Sequence, residues 1–137
     1  MKSRLLSGLI RRRWISVILL LIVTSSCEKE PGEGGNSIIR GRVYVNSFFL
    51  NQQRPAADQD VCIIYGDDDY TVDDRTRTSF DGTYKFEFLR KGKYRVFVYS
   101  EDTTATSAGR DTVFLLETEI KKNHSEVELP DLITYKL

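Results

Sequence analysis

Residues 78–98 read Thr78-Ser-Phe-Asp81-Gly82-Thr-Tyr84-Lys-Phe86-Glu-Phe88-Leu89-Arg-Lys-Gly92-Lys-Tyr94-Arg-Val96-Phe-Val98. From Thr83 to Phe88 every second residue is aromatic. That is the period of a strand with one buried and one solvated face. Tyr84, Phe86 and Phe88 are expected inward, and Thr83, Lys85 and Glu87 outward. Lys93 to Tyr99 repeats the pattern, with Tyr94, Val96 and Val98 on the core side. Asp81-Gly82 is a strong hairpin signal, because glycine and aspartate tolerate positive φ. Leu89 is expected to plug the core where the chain leaves the strand, and Gly92 permits the second turn.

The flanking sequence is β as well. No window longer than ten residues repeats apolar positions at i, i+3, i+4 and i+7. Ile38 to Val45 reads as a first strand, with Ile39, Gly41, Val43 and Val45 on one face. Residues 47–59, containing Pro55, read as a connection. Val61 to Tyr65 is apolar enough for a central strand, Asp67-Asp68-Asp69 reads as a turn, and Thr71 to Ser79 as a polar strand. After a polar loop at 101–110, Thr112 to Ile120 forms a further strand. Val127 and Leu129, then Ile133, Tyr135 and Leu137, suggest a closing strand interrupted by Pro130, a residue of edges and bulges. About seven short strands at regular spacing predict an all-β, Greek-key β-sandwich.

Gly41-Arg-Val43, Val61-Cys-Ile-Ile64 and the 78–98 stretch together resemble the carboxypeptidase regulatory-like domain, a transthyretin-like (prealbumin-like) β-sandwich common in exported bacterial proteins. The match covers residues 38–100 well and the rest loosely. Its motif residues shape turns and core, so the resemblance implies a fold rather than a chemistry. Two departures stand out. Leu50 to Asp60 is longer and more polar than the family's loop, which makes it a candidate recognition element. Asp67, Asp68, Asp69, Asp73 and Asp74 are more acidic than the pattern needs.

The N-terminus has a different character. Lys2, Arg4, Arg11, Arg12 and Arg13 precede an apolar run of 10 residues, Trp14 to Val23, then Thr24-Ser25-Ser26 and Cys27. A membrane-spanning helix needs about 20 apolar residues. A basic head, a short apolar middle and small residues describe a secretory signal peptide over 1–26. A cysteine directly after it resembles a bacterial lipoprotein signal, with Thr24 standing where the family usually carries leucine. The resemblance implies acylation of Cys27, and more than one acyl chain gives stable anchoring. It further implies the outer membrane of a Gram-negative cell. Without residues 1–26 the chain has 111 residues with 15 basic and 20 acidic ones, a formal charge of −5. That is one domain, and it lacks the basic footprint of nucleic-acid binding. Residues 28–37, glycine-rich and charged, read as a flexible tether reaching roughly 33 Å. The domain proper is then expected over 38–137.

Few residues suggest chemistry. With Cys27 acylated, Cys62 has no partner and reads as a small buried thiol. The lone His124 beside Ser125 lacks the third group of a triad, and no catalytic motif appears, so no enzyme activity and no cofactor are expected. Asp58, Asp60, Asp67, Asp68 and Asp69 invite calcium, but an Asp-x-Asp-x-Asp-Gly loop with a distal glutamate is missing. Arg95, Phe97 and Tyr99, on the outward side of their strand, form the candidate binding surface, a composition suited to protein or glycan. The expected role is a non-enzymatic, membrane-anchored binding or scaffolding module in the cell envelope. It would serve either a glycan uptake or degradation system or a surface protein complex.

Overall fold

A computed structural model describes residues 30–47, 52–67, 70–101 and 111–136. The signal segment, Cys27, Leu50, Asp68, Asp69, the 102–110 loop and Leu137 lie outside the described residues. The chain forms a β-sandwich of two packed sheets, with no helix among the described residues. Nine strands are described rather than seven: β1 (Glu33–Ser47), β2 (Gln52–Pro55), β3 (Asp60–Tyr65), β4 (Asp74–Arg77), β5 (Thr83–Leu89), β6 (Gly92–Glu101), β7 (Asp111–Ile120), β8 (Glu126–Glu128) and β9 (Leu132–Lys136).

β1 is the axis of the first sheet. It pairs antiparallel with β5 and then β2, and parallel with β8 and then β9. The second sheet has the order β4-β3-β6-β7, antiparallel throughout. Between the sheets lie Ile39, Val43, Val61, Ile63, Tyr84, Phe86, Leu89, Tyr94, Val96, Val98 and Ile120. The alternation read for β1 and β6 therefore holds. Gly41 faces Tyr84 across the β1–β5 pair, and a methyl group there would lie 2.8 Å from the ring's Cζ. Glycine at this position is what admits the ring.

Five expectations change. First, β1 starts at Glu33, so the glycine-rich segment read as tether is paired in the sheet. At Gly35 a side chain would collide with the Leu89 carbonyl. Glycine here serves close backbone approach rather than flexibility. Second, Phe88 turns outward, 69% exposed, while Leu89 takes the core position. A one-residue bulge between the pairs Ser37–Leu89 and Ile39–Phe86 shifts the parity, and Phe88 adopts φ 59°. Third, the closing segment is split at Pro130 and its second half runs in the opposite phase. Leu132 and Thr134 face inward, Ile133 and Tyr135 outward. The buried Thr134 hydroxyl donates to the Tyr44 carbonyl at 3.2 Å. Fourth, Asp81-Gly82 closes no hairpin. Gly82 N–H donates to Ser79 O at 2.9 Å, only Gly82 of the pair has positive φ, and the turn carries the chain from β4 in one sheet to β5 in the other. Fifth, part of the Leu50–Asp60 segment is strand β2 rather than loop.

Phe88 strains the backbone and buries little. Left-handed φ costs a non-glycine residue about 1 kcal/mol. Phe88→Gly is therefore expected to raise stability by about 0.5–1 kcal/mol, read as a Tm increase of a few degrees.

Tyr94 joins the two ends of this corner. Its hydroxyl donates to Arg90 O at 2.7 Å and accepts from Gly32 N–H at 3.0 Å. The Tyr84 hydroxyl is buried with no hydrogen-bond partner among the described residues. Burial pushes the Tyr84, Tyr65 and Tyr94 hydroxyls up from the ordinary tyrosine range. A raised native value means the unfolded chain loses protons first. Stability is then full below pH 10 and falls as pH rises above it. Tyr84→Phe is expected to gain about 1 kcal/mol at neutral pH, because an unsatisfied buried hydroxyl is removed. It should also flatten the alkaline loss, which urea unfolding on both sides of pH 10 would measure.

Candidate functional site

The outer face of the second sheet follows from register. Across it, Arg95 stands between Ile64 and Glu117, and Phe97 between Cys62 and Leu115, while Tyr99 stands beside Val113. Arg95, Phe97 and Tyr99 thus share the outward side as expected, but they are not equally open. Arg95 is 7% exposed, Phe97 5% and Tyr99 42%.

Among the described residues, the cover comes from Gly66, Tyr70 and Val72. Phe97 joins Cys62 and Ile64 in a second small apolar cluster, against which Val72 packs. Arg95 Nε donates to Gly66 O at 3.2 Å, and its guanidinium lies 5.0 Å from the centre of the Tyr70 ring. This is a cation–π distance. Burial pushes the Cys62 thiol up, partly opposed by the neighbouring Arg75. A thiol held protonated in an apolar cluster is a poor nucleophile.

The face therefore divides in two. At the Tyr70 end is an open groove of about 510 Å³, walled by Asp67, Tyr70, Lys93, Arg95, Glu117 and Glu119. Lys93 is paired with Asp67, which raises its pKa. At the other end lies an apolar strip of Tyr99, Val113 and Leu115, each partly open to solvent. Phe97 meets Tyr99 edge to face, with ring centres 5.4 Å apart. The two rings do not form a flat stacking platform. Tyr70, Val113 and Leu115 add to the face expected from the sequence. The β7 alternation could have found the last two, because Val113 and Leu115 are apolar on the same side as Glu117 and Glu119.

The remaining candidates among the described residues are absorbed by structure. Arg77 pairs with Asp58 and Asp60, each at 3.0 Å, and Arg75 lies 3.7 Å from Asp60. Among the described residues no three His, Cys, Asp or Glu side chains converge as metal ligands. His124 sits in a turn at φ 55°, its Nε2 2.9 Å from Asn36 Nδ2, while its backbone N–H donates to Asn36 Oδ1. Ser125 Oγ donates to Lys122 O at 2.7 Å. These bonds close the β7–β8 turn onto β1.

No protein-family model matches the chain, and no curated protein does. Among solved structures, the chain is similar to a "putative carbohydrate binding protein" from Pseudomonas aeruginosa, at 11% identity and a TM-score of 0.47. That likeness covers 77% of this chain and 91% of the other.

Proposed function

We propose that the protein is a non-enzymatic envelope lipoprotein, anchored through Cys27, whose sandwich takes a protein partner along β7. The carboxypeptidase regulatory-like reading of the fold belongs to the same proposal. The observation that carries it is the contrast between β7 and the other sheet edges. β2 and β4 are four residues each, exposed or charged, and β2 ends in Pro55. β5 carries Lys85 and Glu87 and is interrupted by the Phe88 bulge. β8 is three residues long with two glutamates, and Pro130 separates it from the short β9. Those are the devices that discourage strand pairing. β7 is ten residues long, and no strand among the described residues pairs with its outer edge. Thr112-Val-Phe-Leu-Leu116 adds no charge and no proline. Beside it lies Tyr99, continuing the strip of Val113 and Leu115. An extended partner strand would gain main-chain hydrogen bonds from the edge and apolar contact from this strip.

The double variant Val113→Lys/Leu115→Lys tests this. Both side chains face solvent, so the melting temperature is expected to stay within a few degrees of the parent. Partner recovery after cross-linking in intact cells is expected to fall at least about 100-fold, as loss of a central apolar anchor implies. Undiminished recovery by the folded double variant would contradict the proposal.

A second reading has its own support. The exposed Tyr70 ring beside Glu117 and Glu119 is the kind of aromatic and acidic lining that stacks and hydrogen-bonds a sugar. A glycan bound there would be released by Tyr70→Ala and unaffected by the β7 double variant.

A further inference from the structure

Residues 31–37 are built into the sandwich, which changes what the anchor can do. Gly32 O accepts from Arg90 N–H at 2.9 Å, and Gly32 N–H donates to the Tyr94 hydroxyl. Pro31 packs on Gly92 so closely that a side chain there would collide with the proline ring. The point where the chain enters the domain is thus fastened to the β5–β6 crossing, residues 88–92. From Cys27 to Glu30 there are three Cα–Cα steps, at most about 11 Å. A domain held on so short a leash cannot stand clear of a bilayer into which Cys27 is acylated.

Phe88 lies at this same crossing. It is the residue that the bulge turns out of the core, into a backbone conformation that large side chains avoid. Burial repays little of that arrangement, since the ring is mostly exposed. Lys91, Lys121 and Lys122 are exposed nearby, the last two following Ile120, the pairing partner of Gly92. Glu30 and Glu33 are exposed at the same end, so charge does not decide the matter. Leash length and the displaced aromatic ring do.

We infer that the β5–β6 crossing rests on the lipid surface and that Phe88 enters the membrane interface there. This deepens the proposed function and rests on its anchoring at Cys27. The occupant of the Phe88 surface is then a bilayer rather than a protein. The orientation leaves β7 running away from the membrane, from Ile120 near the surface toward Thr112.

The test uses the acylated full-length product. The only tryptophan, Trp14, lies in the segment expected to be removed, so Phe88→Trp introduces a lone reporter. Phe80→Trp supplies the control. Phe80 is highly exposed and precedes Thr83, about 20 Å along β5 from Leu89. Each variant is reconstituted into phosphatidylcholine vesicles containing lipid brominated near the headgroup end of the acyl chain. Emission from Phe88→Trp is expected to shift to the blue and lose most of its intensity, while emission from Phe80→Trp is kept. Lys91→Trp carries the same expectation as Phe88→Trp if that variant fails to fold. Intact mass reports the acyl chains on Cys27 separately. An acylated protein in which Phe88→Trp and Lys91→Trp both stay unquenched, or in which Phe80→Trp is quenched as strongly, overturns the inference and leaves the anchor standing. An unacylated chain overturns both.

Discussion

Gly82→Ala is expected to cost the domain about 3 kcal/mol, a fall in Tm of more than about 10 °C for a domain of this size. Two effects add. Gly82 has φ 80°, where a Cβ costs about 1–2 kcal/mol. A methyl group there would also lie 2.5 Å from the Val43 carbonyl oxygen, a backbone atom fixed in the centre of β1. Overpacking of that kind adds about 1–3 kcal/mol. Gly66 separates the two effects. Its φ is 77°, but a side chain there meets nothing within 4 Å. Gly66→Ala should therefore cost only about 1 kcal/mol. Equal losses at the two positions in urea unfolding would show that the turn between the sheets is not packed as described.

Cys27→Ser is expected to abolish incorporation of labelled palmitate and to leave the precursor unprocessed. The effect should be all or none, because the cysteine would be both the acyl carrier and the residue after the cleavage point. The isolated domain should melt as before, since the first packed residue among those described is Pro31. Labelling that persists in Cys27→Ser would remove the anchor from the account.

The architecture was legible where one face of a strand is buried along its whole length. β1 and β6 alternate without interruption, and their inward residues are the ones expected. The reading failed where local geometry breaks the period. At Phe88 a single extra residue moves the parity by one, and the sequence Phe86-Glu-Phe88-Leu89 offers no glycine to announce a bulge. At Pro130 the break between β8 and β9 uncouples the phases on either side. Gly32, Gly34 and Gly35 carried a composition that reads as flexible, yet backbone crowding against Leu89 and Arg90 is what selects glycine at Gly35.

The candidate surface was legible by direction but not by exposure. Alternation places Arg95, Phe97 and Tyr99 outward. It carries no information about Tyr70 and Val72, which reach over Arg95 and Phe97 from an earlier segment of the chain. The apolar strip at Tyr99, Val113 and Leu115 needs the β6–β7 register, a long-range property.

The most direct test of the central claim is photo-cross-linking in intact cells, with a photoreactive residue placed in turn at Leu115, Phe80 and Arg54. Leu115 lies on the β7 strip, Phe80 on the turn between the sheets, and Arg54 on the short edge strand β2. A discrete protein adduct from Leu115 alone, lost when Val113 is changed to Lys, is the predicted result. An adduct formed equally from Phe80 or Arg54, or none from Leu115, would contradict docking along β7.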